Sequence, residues 1–239
     1  MKNSPDLMTL CRSEYMRLAR NMHRLGLDRA TIVENYQTLT EHRLDGCFLK
    51  TEAYQPTGIA LGCPLPSRET RILLNASRMV DAWLRKHTSS NQAEMLSFVP
   101  SESYHITILN RTHYEVSPTY ILLTDNEQVE IARFVSSLEL GFISVITCGL
   151  LLTRSGRLFV RCLPVDDRIL HLRQKLMDSF PQLRIKAPIM IHMKLAHLAI
   201  PLNDEQLLAF FAWMRRLDQY VSMRLDFHDL HTPTGRISL

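Results

Sequence analysis

The chain has no C-x-x-C pair: its five cysteines, Cys11, Cys47, Cys63, Cys148 and Cys162, are odd in number and widely spaced. That spacing offers neither a disulfide framework nor a thiolate zinc site. Reduced thiols in a cytoplasm are the expectation. Met1 to Asn21 lacks an apolar h-region, so no secretory signal is expected. The longest apolar run, Phe142 to Leu152, contains Ser144 and Thr147 and is too short to span a bilayer. A soluble protein that does not enter the membrane is expected. No cluster of Asp and Glu argues for a metal, and no cofactor is implied. Charged residues make up 22% of the chain, with 8 glycines and 11 prolines, so wholesale disorder is not expected.

What is present is enough apolar material for a core. Of 239 residues, 46% are hydrophobic, sufficient for one large domain or two small lobes. The net charge of +4 suits an anionic substrate without establishing nucleic-acid binding.

The hydrophobic pattern divides the chain. Residues from about 5 to 45 read as two amphipathic helices, the first stopped by Gly26 and the second capped by Asp28. Arginines 12, 17, 20 and 24 read as a solvated helix face. From Thr57 the period changes. Thr57–Cys63 reads as a strand, Ser67–Lys86 as a helix, and Met95–Val99, Tyr104–Leu109 and Tyr120–Leu123 as strands. Asn126–Leu138 reads as a helix. Phe142–Thr153 and Arg157–Leu163 form a hairpin about Arg154-Ser155-Gly156. Asp166–Phe180 is helical, Ile189–Ile200 extended, Asp204–Leu217 helical, and Val221–Phe227 and Arg236–Leu239 extended. Each half contains strand, helix, histidine strand, helix and strand. The expected fold is α+β: two pseudo-symmetric lobes with antiparallel sheets facing a central cleft over 57–239, plus an N-terminal helical extension over 1–50.

Two stretches carry the chemistry. Tyr104-His105-Ile106-Thr107-Ile108 and Ala196-His197-Leu198-Ala199-Ile200 are each a histidine in an apolar strand. Residues i and i+2 share a face, so His105 sits with Thr107, and His197 with Ala199. Two such strands lining one cleft can set a general base and a general acid on opposite sides of a phosphate.

The run Val99-Pro100-Ser101-Glu102-Ser103-Tyr104-His105-Ile106-Thr107 resembles the Pro-Ser-x-x-His-x-Thr motif of a branch of the 2H phosphoesterase superfamily, the LigT-like fold of RNA cyclic phosphodiesterases. Gly156-Arg157-Leu158-Phe159-Val160 and the helix from Asp166 are similar to the segments that precede the family's second motif. In the second motif, His197-Leu198-Ala199-Ile200 keeps the histidine and lacks the hydroxyl residue. The resemblance spans about 57–239 and implies metal-independent phosphodiester chemistry on a nucleotide or RNA end by two histidines. One would activate water or a ribose hydroxyl and the other protonate the leaving oxygen. Which of His105 and His197 does which stays open at this point. Thr107 would bond a phosphoryl oxygen, which Ala199 cannot do.

Three residues are candidates for the missing contact. Lys194 is a point charge suited to phosphate. In an unbroken strand its parity matches His192 and opposes His197, so only one of the pairs His192/Lys194 and His197/Ala199 faces the cleft, unless a bulge changes the count. The apolar frame and the resemblance favour His197. Arg161 and Arg111 are the others, Arg111 sharing the parity of His105. His228-Asp229-Leu230-His231, followed by Pro233 and Gly235, reads as a loop histidine pair rather than a metal site, and His113 as an exposed residue. Phe98, Tyr114 and Tyr120 suit base stacking or core packing equally. Two further readings stand beside the enzyme. One is a nucleotide- or RNA-binding module that has lost catalysis, motivated by Ala199. The other is an interaction protein whose N-terminal helices dock a partner or a second copy.

Overall fold

The computed structural model describes residues 7–41, 43–44, 47–48, 58–62, 67–88, 95–99, 101, 104–111, 124–184, 189–231 and 236–239. The chain opens with α1 (Leu7–Leu25), α2 (Arg29–Glu41) and the two-residue strands β1 (Arg43–Leu44) and β2 (Cys47–Phe48). The first half continues with β3 (Gly58–Gly62), α3 (Arg68–His87), β4 (Leu96–Phe98), β5 (His105–Arg111) and α4 (Asp125–Ser136). The second half holds β6 (Ile143–Leu152), β7 (Arg157–Pro164), α5 (Arg168–Ser179), β8 (Leu183–Arg184), β9 (Ile191–Leu198) and α6 (Asp204–Met214). A 3-10 turn over Arg215–Leu217 leads to β10 (Arg224–Phe227), β11 (Asp229–His231) and β12 (Arg236–Ser238).

Helix starts follow their sequence signals. Ser67 with Thr70, Thr124 with Glu127 and Asn203 with Gln206 form capping boxes at α3, α4 and α6. Asp28 Oδ1 accepts the backbone N–H of Thr31 at 3.2 Å ahead of α2, and that bond holds the carboxyl below the usual range. The expected α+β class is observed: a curled, half-barrel antiparallel sheet with six α-helices among the described residues. The strand expected at Tyr120–Leu123 lies outside the described residues. His228–His231 departs from expectation, because Asp229–His231 is the strand β11, paired with both β3 and β12. Pairing on both edges satisfies its backbone, and this outweighs the nearby turn residues.

The ten strands from β3 onward form one sheet in the order β10-β6-β7-β9-β5-β3-β11-β12, with β4 added to β9 and β8 to β5. The lobes are therefore joined through the β5–β9 pair. Each half lends a strand to the other: β4 precedes β5 in the chain yet pairs with β9, and β8 precedes β9 yet pairs with β5.

One face of the sheet is core. Ile106, Ile108, Val160, Cys162, Ile191 and Met193 are fully buried there. Helix α1 packs on β7, α2 and α3 on β9, and α5 on β5. The Tyr15 hydroxyl of α1 accepts from Cys162 N at 3.1 Å and donates to the carbonyl of Ile191, and Ile32 of α2 is fully buried. The N-terminal helices thus contribute Cys11, Tyr15, Met22 and Ile32 to the same core as the sheet. No helix among the described residues is long and apolar enough to cross a membrane.

Candidate active site on the open face of the sheet

The opposite face, at the centre of the sheet, is polar. Strand β7 presents Arg157, Phe159 and Arg161 at alternate positions, and register partners share a face. Arg157 pairs with His197, Phe159 with Lys194 and Arg161 with His192. These pairings skip Leu195, where the register shifts. The extra residue is a β-bulge, and the backbone carbonyl it would otherwise strand accepts from Val99 N at 2.8 Å. The bulge resolves the parity conflict: His192, Lys194 and His197 all face the open side.

Strand β5 completes the site. Ile106 and Met193 are register partners with their side chains on the buried face. Antiparallel pairing then sets His105 opposite Lys194 and Thr107 opposite His192. Half a turn about the Ile106–Met193 pair carries His105 onto His192 and Thr107 onto Lys194. Two His-x-polar units therefore meet head to tail, and the symmetry mate of His105 is His192, not His197. Ala199 follows the last residue of β9, and its N–H donates to Met95 O at 2.9 Å, one rung past the Ser97–His197 and Leu96–Leu198 pairs, so it keeps the side of His197.

Charge and burial set the protonation of this face. Burial, then the cations of Arg173 and neighbouring groups including His105, push His192 down to about 4. Burial, then Lys194 and Arg157, push His197 down to about 3. Lys194 falls to about 8 through burial and then Arg157, and stays cationic at neutral pH. Both imidazoles on β9 are therefore neutral near pH 7. Their Nδ1 atoms are buried without a hydrogen-bond partner, as is the hydroxyl of Ser97, the register partner of His197 on β4. Unsatisfied buried groups are rare outside functional sites. His197 itself is only 6% exposed. The Phe159 ring lies 4.2 Å from that of His192, between centroids, and walls the site on the β7 side.

Arg173 supports the site from behind and is not evident from sequence patterning as anything but a helix residue. Its side chain is fully buried. Nη2 donates to Thr107 O at 2.6 Å, Nε to Ile108 O at 3.2 Å and Nη1 to Met190 O at 3.2 Å. The β3–β5 register shifts beside Thr107, so one arginine ties the irregular part of β5 to the entry of β9. Burial pushes Arg173 down to about 10, which leaves it charged. The signal for it is an arginine next to Leu172 on the apolar stripe of α5.

The remaining candidates are placed as follows. Arg161 is on the open face, with Nη2 engaged by Asp218 at 3.1 Å and the Cys148 carbonyl at 2.9 Å. It crosses Gly149, where an added Cβ would lie 2.3 Å from Nη2. Arg111 ends β5 and its side chain lies outside the described residues, as do His113, Tyr114 and Tyr120. Among the described residues no group of three or more His, Cys, Asp or Glu is arranged to hold a metal ion.

No protein-family model and no curated protein matches the chain. Among solved structures it is similar to a conserved protein of unknown function from Agrobacterium tumefaciens, at 12% identity over 76% of this chain and 83% of that one, with a TM-score of 0.48. It is also similar to Kluyveromyces marxianus Usb1 with uridine monophosphate, at 14% identity over 78% and 98% and a TM-score of 0.45. A second structure of that Usb1 gives 14% over 76% and 95%, with a TM-score of 0.46. Likeness of this degree carries no inference about activity.

Proposed function

We propose that the protein is a metal-independent phosphodiesterase acting on a cyclic phosphate or phosphodiester of a nucleotide or RNA end. The observation that carries this reading is the meeting of His105-x-Thr107 with His192-x-Lys194 on one open face around the Ile106–Met193 pair. A phosphate lying over that pair has an imidazole on either side and a hydroxyl and an ammonium at the other two corners. Neutral His192 takes the proton of the attacking water or hydroxyl. His105 gives a proton to the leaving oxygen. Thr107 and Lys194 hold the phosphoryl oxygens as charge develops, a role worth on the order of 1.5–3 kcal/mol per charged hydrogen bond. The anion itself raises the proton affinity of both imidazoles, which brings His192 toward the working range of a general base. His197 flanks this group one row further along β9 and orients substrate.

Two other readings stand beside it. Ala199, on the side of His197, motivates a nucleotide- or RNA-binding module that has lost catalysis. The apolar stripe of α1 packs Cys11, Tyr15 and Met22 into the protein's own core, and the exposed Arg12, Arg17, Arg20 and Arg24 form the face on which a partner or a second copy would dock. The test is product analysis after metal-free incubation with 2′,3′- and 3′,5′-cyclic nucleotides and short RNAs ending in a cyclic phosphate. Ring opening that persists in chelator and disappears in His105→Ala is expected. Turnover that requires a divalent metal overturns the reading.

A further inference from the structure

β3 offers almost no side chain to the open face. Ala60 is the register partner of Thr107 and Gly62 that of His105. The space above Gly62 is filled from the next strand. An ideal Cβ on Gly62 would lie 2.3 Å from Cε1, 2.4 Å from Nδ1 and 2.6 Å from Nε2 of His231. The imidazole of His231 therefore occupies the side-chain volume of residue 62. Directly opposed residues on neighbouring antiparallel strands hold their Cβ atoms about 4.5–5.5 Å apart. This places the His231 ring against the flank of His105. His231 is half-buried, like His105, and belongs to β11, where it pairs with Ala60 and with Arg236 of β12.

Resting on the proposed two-histidine chemistry, we infer that His231 is a positioning residue for His105. His105 is then held between two elements. Lys194 and His192 face it from β9, with Arg157 beyond them on β7, and His231 faces it from β11 across Gly62. Arg173 of α5 acts from behind the sheet through the Thr107 carbonyl. Asp229, two residues before His231 on β11, takes a hydrogen bond from Ser238 at 3.5 Å. The imidazole of His231 fixes the orientation of the His105 ring by contact and sets its proton affinity by proximity. A Cβ on residue 62 would displace the His231 ring.

The test reads the free protein and needs no substrate, so it stands apart from the phosphodiesterase reading. Histidine ring signals are followed by NMR across the pH range in the full chain and assigned by single substitution. In His231→Ala the His105 midpoint is expected to move up by about half a pH unit or more, from relief of imidazolium repulsion at about 5 Å, with the His192 midpoint in place. His231→Gln keeps the packing and gives the same shift if the smaller variant unfolds. Gly62→Ala shifts the same midpoint and lowers the melting temperature, and Gly62→Ala with His231→Ala regains it. An unmoved His105 midpoint in both His231→Gln and Gly62→Ala overturns the inference. So does a Gly62→Ala protein as stable as its parent. Where turnover is measured, His231→Gln lowers kcat with KM little changed.

Discussion

Half a turn about Ile106 and Met193 lays β5 over β9, and what differs after that rotation is chemical rather than architectural. The first half supplies a histidine and a hydroxyl, with carbonyls clamped by Arg173. The second supplies a histidine and a cation, and the Leu195 bulge turns a further histidine to the same side. The helices differ too, since α1 lies on β7 and α2 on β9, both in the second half. A pseudo-symmetric frame therefore sets one histidine on each side of the Ile106–Met193 pair, while asymmetric additions give the two sides different chemistry.

Removing residues 1–50 tests the dependence of the second half on its helices most severely. The truncation uncovers partners of Cys11, Tyr15, Met22 and Ile32, all at most 4% exposed. At about 1.5–3 kcal/mol for each buried side chain the loss rivals the whole stability of a domain. An unfolded or insoluble product is expected by circular dichroism. A cooperatively melting fragment would show the helices to be an appendage.

Arg173→Met separates the clamp on the first half from its fold. It strands the carbonyls of Thr107, Ile108 and Met190, with an expected cost on the order of 3 kcal/mol in denaturant titration. A loss below about 1 kcal/mol would mean that the carbonyls find other donors.

Lys194 is where the halves diverge. Lys194→Ala should lower kcat/KM by about ten- to a hundredfold, the range of one charged hydrogen bond. Lys194→Thr, which makes both units His-x-Thr, should recover part of that and lose some of the salt dependence. Equal activity of Lys194→Ala and the parent would remove Lys194 from the phosphate site.

A pH titration of stability sharpens the contrast at the smallest scale. His192 and His197 titrate at about 4 and about 3 in the folded protein against 6.5 unfolded. Between those values the unfolded chain binds more protons, so stability falls as pH drops from 6.5 toward 4 for His192 and toward 3 for His197. Above 6.5 neither contributes a slope. Urea midpoints between pH 7 and 4 should fall steadily, and His192→Gln should flatten the trend. An unchanged slope in that variant would show that His192 is not buried neutral.

Much of this was legible in the sequence. Capping residues, the Arg154-Ser155-Gly156 turn and the periodicity place the helices and most strands. His105-x-Thr107 is on the open face because an unbroken two-residue period connects them. On β9 the same arithmetic fails, because one bulged residue reverses the parity after Lys194 and no residue type announces it. Unbroken parity makes His192 and His197 exclusive, and the apolar frame and the resemblance then favour His197, although Ile191-His192-Met193-Lys194 alternates as cleanly as the first motif. His231 was hidden by the Pro233 and Gly235 that follow it. Its strand is defined by pairing with β3 and β12, contacts distant in sequence. Arg173 was hidden because a single polar residue on an apolar stripe is invisible to periodicity.

The most direct measurement compares His105→Ala, His192→Ala and His197→Ala on whichever cyclic phosphate the parent protein opens without metal. The symmetry of the site predicts losses of about 10²–10⁴-fold for His105 and His192, the scale of general acid–base catalysis, and less than about tenfold for His197. Folded His192→Ala protein with near-parent turnover, beside an inactive His197→Ala, would contradict it.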